Sequence, residues 1–525
     1  GYINYYYFGF YLVAFLIKLT GIYAEVAFNL AIPTLFALTV TNSFGLAYSA
    51  IGIWIQRQHC NGPVVHTQST AVPLDIGNAV EQQPAWRVGL AGALLAPLFV
   101  ALIGNLAGLA QLAKNLAQVG QTTLQSAFSF IPTTLAALNG LMNVATHQQV
   151  LPRYDFWAPS RVIPDTINEF PYWSFLFADL HPHVIAMPVA LLCLGLIFTF
   201  VSQFGIHWRH HWRYSLALLA CFAFVLGVLA SNNLWELPTY AGLALLALAV
   251  YQVRCYGRLW LGVTVAVGVA YLVGAYLLFL PFFQHYAPIG AGGIGVVAQG
   301  DPLDLWLNIW GFFLFILMGW LIFVASQPLH RDRSLLSKLQ SSTGLKPGKD
   351  APLAGERRIS QSLRNYEQLP RLIYLQRRLV KSPSLGYHLT PITVLGSWLL
   401  ASIAWLLGWY VVALCLLPLG VLLVLLWRQS QQADSATLMV TVLFVVGLAV
   451  LIGTQLFYLK DFLAGGPAYR MNTVFKFSIQ VWVLWAIAAA VALYQVWNGW
   501  QAADEQTRAS KAKVALRFAW QTLIV

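Results

Sequence analysis

The sequence predicts an all-α, polytopic integral membrane protein, and three observations carry that prediction. Only 9% of the 525 residues are charged and 59% are hydrophobic, where a soluble chain carries about a quarter charged residues. Apolar runs of about 18 or more residues, each long enough to cross a bilayer as a helix, recur from end to end. The short alternating segments of a membrane β-barrel are missing. A mean hydropathy of +0.67 agrees with this class.

Length and apolar pattern place about thirteen spans along the chain. They fall at 5–20, 25–40, 43–55, 88–110, 184–204, 214–230, 234–252, 259–282, 304–326, 390–408, 410–427, 436–458 and 471–496. The pair within 25–55 reads as a tight hairpin broken at Thr41-Asn42-Ser43. No repeat of fixed period stands out, nor the inverted repeat built into many transporters. Three modules follow: 1–326 with an outer loop at 111–183, a basic loop at 327–386, and C-terminal helices at 387–525.

Charge sets the expected orientation. Segment 327–386 holds twelve Lys/Arg against four acids, which makes it cytoplasmic by the positive-inside rule. Alternating outward from it puts the basic stretches Trp208–Arg213, Arg254–Arg258, Arg428 and Lys511–Lys513 on the same side. Arg57 and Arg87 join them if 25–55 is a hairpin. The net charge of +12 is therefore a topology signal in a plasma (inner) membrane protein, and no nucleic-acid partner is implied. The basic stretch Leu369–Lys381 suits lipid headgroups.

Cys60, Cys193, Cys221, Cys255 and Cys415 form no CxxC pair and read as small apolar packing residues. The chain opens on Gly1, and a new apolar run is starting at Phe518–Val525, so both ends read as cut from a longer product.

The outer face collects the polar chemistry. Loop 111–183 is long and rich in aromatics, which predicts order and short helices on the membrane surface. At its end, Asp179, His181 and His183 crowd against the start of a span, with Pro182 fixing the turn. Such a set can ligate a divalent cation, magnesium or manganese, or act as general base and phosphate ligand. Glu169, ten residues upstream, is a second carboxylate that can return to the same place.

Three further groups belong to that face. Asn232, Asn233 and Glu236 lie in a short turn between two spans, and a carboxylate at that edge needs a role or a partner. Arg470 and Lys476 sit at the hydrocarbon boundary, a planar fork and a point charge fit to clamp a phosphate. Asn4, Tyr5, Tyr6 and Tyr7 open the first span, with hydroxyls able to reach a polar ligand such as a sugar. Acids and histidine outside, with cations at the lipid edge, suit a lipid-linked sugar: tail, phosphate, then hydroxyls.

The stretches GYINYYYFGFYLVAFLIKLTGI, EFPYWSFLFADLHPHVIAMPVALL, NNLWELPTY and YRMNTVFKFSIQVW resemble the tri-tyrosine ("YYY") family of uncharacterised membrane proteins, which is placed with the GT-C superfamily of glycosyltransferases. The resemblance implies sugar transfer from a polyprenyl-phosphate-type donor to an acceptor on the extracytoplasmic face. It implies Asp179, His181 and His183 at the border of the site and Arg470 and Lys476 at the donor phosphate; the residue readings above add Glu169 and Glu236 to Asp179 as catalytic carboxylates and set Asn4, Tyr5, Tyr6, Asn232 and Asn233 toward the sugar. The metal set expected is Asp179, His181 and His183. Phe10 and Glu236 stand where the family pattern has His and Asp, and its first helix and acidic outer loop would precede Gly1. The alternatives are a non-catalytic subunit of a larger membrane complex and a transporter of a lipid-linked substrate. A transporter predicts ionisable groups near mid-membrane, whereas these acids sit at the edge.

Overall fold

The computed structural model describes residues 3–60, 85–120, 130–146, 149–202, 212–256, 258–287, 292–326, 386–429 and 434–506. It is an all-helical membrane protein, with nine helices long and apolar enough to span among the described residues, or ten if one bent pair counts as a span. In chain order the helices are α1 (Phe8–Thr20), α2 (Ala24–Cys60), α3 (Ala85–Pro97), α4 (Leu106–Gly120), α5 (Phe130–Ala145), α6 (Pro171–Phe177), α7 (Pro182–Ser202) and α8 (Trp212–Asn232). There follow α9 (Leu237–Tyr256), α10 (Leu261–Leu278), α11 (Leu280–Phe283), α12 (Leu303–Ser326), α13 (Gly386–Leu406), α14 (Tyr410–Gln429), α15 (Ser435–Leu456) and α16 (Met471–Gln506). Nearly all of the basic segment 327–386 lies outside the described residues.

The structure corrects the expected hairpin within 25–55. α2 runs unbroken through Thr41-Asn42-Ser43, because its polar side chains find partners without opening the helix. Thr39 Oγ1 donates to the Leu35 carbonyl (2.8 Å) and Ser43 Oγ to that of Val40 (2.9 Å). Asn42 Nδ2 reaches across to the Pro188 carbonyl of α7 (3.0 Å). Arg57 and Arg87 still fall at one end, since α2 and α3 pack antiparallel, with Gly89 beside Ile51 and Ile55. The count falls below thirteen for two further reasons. α1 and the apolar part of α13, Pro391–Leu406, are shorter than a full span, and the run 88–110 bends by 75° between Leu102 and Leu106.

That bend has a local cause. Leu98–Leu102 forms a π turn, closed by Ile103 N–H donating to the Leu98 carbonyl (3.0 Å), and a π turn misaligns one backbone carbonyl. The Phe99 carbonyl accepts a hydrogen bond from the Trp482 indole N–H instead (3.1 Å).

α16 is the axis of the bundle: 89% of its apolar window is buried. Ala486 through Ala492 are fully enclosed, and small side chains let neighbouring helices approach closely. Bulk comes from tryptophans around them, Trp306, Trp310, Trp320, Trp482 and Trp485, all buried. Trp320 Nε1 donates to Gln495 Oε1 (2.7 Å), and Gln495 Nε2 to Thr437 Oγ1 (3.2 Å), so the apolar core carries one satisfied polar seam.

At the other end of α16, two segments far apart in sequence pair as short strands. β1 (Ile294–Val296) lies antiparallel to β2 (Phe457–Leu459), with Ile294 opposite Leu459. Below them Arg470 and Asp301 form a buried ion pair (2.7 Å).

Candidate functional site

The four-residue link between α6 and α7 sets the centre of the site. Ala178 takes a left-handed conformation that ends α6. Asp179 and His181 then project from the head of α7, where the His181 carbonyl accepts from the Val184 and Ile185 amides (2.9 and 3.1 Å). His183 points inward from the first turn and is buried.

A polar chain runs from solvent into the bundle. Asp179, half exposed, meets His181 Nδ1 through its Oδ2 (3.2 Å). His181 Nε2 meets Lys476 Nζ (3.3 Å). An ammonium can only donate, so Nε2 is the acceptor and the ring proton sits on Nδ1, donated to Asp179. Burial, and then the Lys476 charge, pull His181 down to about 4 against the opposing effect of Asp179. The imidazole is neutral in this arrangement. Lys476 is only 6% exposed, and its ammonium also lies over the Phe475 ring, 4.5 Å from the centroid.

Glu169 returns to the same place. Its loop is pinned by Asn168, whose Oδ1 accepts from Ile163 N–H (2.8 Å) and whose own N–H donates to the Ser160 carbonyl (2.9 Å). The Trp173 indole ties the loop further to the Phe156 carbonyl (2.9 Å). Ser174 Oγ donates to Glu169 Oε2 (3.4 Å) and lies 3.1 Å from His183 Nε2. Burial pushes the Glu169 carboxyl up to about 7, although Arg161, Lys476 and the serine pull the other way.

A third layer lies beneath. Asn233 Nδ2 donates to Glu236 Oε1 (3.0 Å), and Asn232 Nδ2 to the Pro182 carbonyl (3.2 Å). Gln480, one turn along α16 from Lys476, donates to the Trp235 carbonyl (2.9 Å). Four acceptor oxygens here have no donor: Asn232 Oδ1, Asn233 Oδ1, Glu236 Oε2 and Gln480 Oε1. The Lys476 charge acts on both Glu169 and Glu236.

The tyrosines form the upper rim. Ile3 bridges in parallel to Tyr286, and the Ala287 amide donates to the Ile3 carbonyl (2.7 Å). Tyr6 thereby packs against the Tyr286 ring, centroids 5.9 Å apart, and Tyr5 lies within electrostatic reach of Asp179. Asn4 faces its own strand, with its Oδ1 accepting from Tyr7 (3.4 Å).

A model of the family described as uncharacterized membrane protein (DUF2298) matches residues 1–485. The chain belongs to that family. No curated protein and no solved structure matches it.

In this DUF2298 protein, then, Asp179, His181, His183, Glu169, Lys476, Asn232, Asn233, Glu236, Tyr5 and Tyr6 come together from α7, α16, the Glu169 loop and both turns. Arg470 does not join them. Its guanidinium holds both Asp301 oxygens (2.7 and 3.4 Å) and the Thr454 carbonyl (2.9 Å), so it braces the top of α16. The expected metal set of Asp179, His181 and His183 is met here with other partners. Both nitrogens of His181 are engaged, Nε2 by an ammonium, and His183 Nε2 turns to Ser174. Among the described residues no three His, Cys, Asp or Glu converge as metal ligands. Gln480 was legible as a neighbour of Lys476, four positions on along the same helix face; Ser174 and Phe475 carried no separate signal.

Proposed function

We propose that this DUF2298 protein is a GT-C-type glycosyltransferase that takes a sugar from a polyprenyl-phosphate-type donor on the extracytoplasmic face. One observation carries the reading: a buried ammonium, Lys476, at the end of a membrane bundle, held by His181 and flanked by Asp179, Glu169 and Glu236. A cation there meets a phosphate whose tail lies in lipid. The acceptor oxygens without donors, on Asn233, Glu236 and Gln480, suit a ligand that brings hydroxyls.

In that reaction an acceptor hydroxyl attacks the anomeric carbon while Glu169 takes its proton. The bond from that carbon to the phosphate oxygen breaks, and Lys476 stabilises the charge left on the phosphate. Asp179 fixes the tautomer of His181, which in turn aims the ammonium. A base is most effective when its pKa lies near the working pH, and about 7 meets that condition. Tyr5 and Tyr6, at the rim within reach of Asp179, would meet the sugar.

The test uses undecaprenyl phosphate added to the full chain in nanodiscs, read by native mass spectrometry. Lys476→Met is expected to lose the bound lipid, while Lys114→Met keeps it. Equal binding by wild type and Lys476→Met would sink the phosphate assignment.

The Glu169 carboxyl gives a separate prediction. Infrared titration should show a protonated-carboxyl band fading as pH rises through about 7, absent in Glu169→Gln. The sign also applies to stability: a folded-state pKa above the ordinary 4.5 makes the contribution largest below that value. It is then lost as pH rises toward about 7. Sugar transfer has the opposite slope, since the base must be ionised.

A further inference from the structure

The 75° bend after the π turn turns α4 nearly perpendicular to the helix that precedes it. Asn105 fixes the elbow: its Nδ2 donates to the Pro159 carbonyl (2.6 Å), and its Oδ1 accepts from Gly108 N–H (3.3 Å). α5 then folds back along α4, and the two backbones meet at Gly120 and Gly140. A Cβ at Gly120 would land on the Ala136 carbonyl, and one at Gly140 on the Leu116 carbonyl.

The depth of this hairpin follows from its contacts. Leu106 packs against Gly311, eight residues inside α12 from its start at Leu303. At 1.5 Å per residue that is about 12 Å along a membrane-spanning helix. The hairpin thus leaves the bundle sideways, about 12 Å along α12 from its start.

Its exposed face has the matching chemistry. α3 and the π turn present Leu90, Leu94, Leu98 and Leu102 outward, four exposed leucines at four-residue spacing, one lipid-facing stripe. Leu109 and Leu112 continue it onto α4, and Leu135, Leu138, Leu141 and Met142 of α5 are exposed as well. Lys114 is the one charge in both helices, on a stem long enough to reach headgroups.

We propose that α4 and α5 form a hairpin half-sunk in the bilayer leaflet on the site side, its leucine face against acyl chains. The occupant of this face is lipid, because the stripe starts on α3, which packs along the spanning helix α2, and the hairpin emerges well below the start of α12. Tyr154 and Pro159 lie over Gly108, so the hairpin also moors the loop that carries Glu169. The proposal rests on the membrane class alone and stands whatever reaction the site performs.

The test places a spin label on a non-canonical residue at Leu138 or Met142 in the full chain, reconstituted in phosphatidylcholine–phosphatidylglycerol vesicles. Leu395, exposed on α13, serves as lipid reference and Lys460 as aqueous reference. The ratio of collisions with oxygen to those with a nickel chelate should match Leu395 and exceed Lys460 several-fold. A ratio equal to that of Lys460 places the hairpin in water and overturns the proposal. Low collision rates with both reagents place a protein partner on the face and overturn it equally. The labels replace exposed side chains, so folding is not at stake.

Discussion

Arg470→Met is expected to destabilise the protein by about 3–5 kcal/mol, the usual result of stranding one buried charge. Asp301 is buried and shares its oxygens between Arg470 and Gln455 Nε2 (2.6 Å). Without the guanidinium, the carboxylate keeps one neutral donor in a place water does not reach. The same loss frees the Thr454 carbonyl at the end of α15, so the damage extends to the strand pair above it. Thermal unfolding in detergent micelles measures the effect. The double variant Asp301→Leu with Arg470→Met should recover part of the loss, because it removes both charges. A double variant no more stable than Arg470→Met would mean that the pair is not what holds this end together. Undecaprenyl phosphate binding by the folded fraction of Arg470→Met should persist, which separates bracing from a phosphate clamp.

Gly120→Val carries the second large effect. The hairpin of α4 and α5 closes backbone to backbone at this glycine, and neither helix can yield without breaking its own hydrogen bonds. Overpacking of a tight contact costs about 1–3 kcal/mol, and here the obstacle is a carbonyl, which cannot rotate away. Gly45→Ala is the control, since nothing lies within 4 Å of a Cβ at that position. Gly120→Val should lower the unfolding temperature while Gly45→Ala leaves it nearly unchanged. Similar values for the two would show that the hairpin is looser than its geometry implies.

The class of the fold was fully legible in composition, because twenty apolar residues in a row permit few alternatives. The errors came from polar residues whose partners lie far along the chain. Thr41-Asn42-Ser43 has the composition of a turn, and only the Pro188 carbonyl 146 residues away shows how Asn42 stays in a helix. Arg470 has the composition of a phosphate ligand, and only Asp301, 169 residues away, shows that it is already paired. Residues joined by local spacing fared better. Asp179, His181 and His183 do cluster, and Lys476 meets them through His181. Spacing alone also could not reveal the ammonium that lies against the second imidazole nitrogen of His181.

α16 is the most enclosed of the spans, yet it is made after all the others described here. Chains are synthesised N-terminus first, so the earlier helices enter the bilayer before their central pillar exists. Trp310, Phe99 and Tyr494's neighbour Trp54 must wait with their partner surfaces open. His181 likewise waits for Lys476. The arrival of one helix then completes the core and the candidate site together, so a chain interrupted before Met471 has neither.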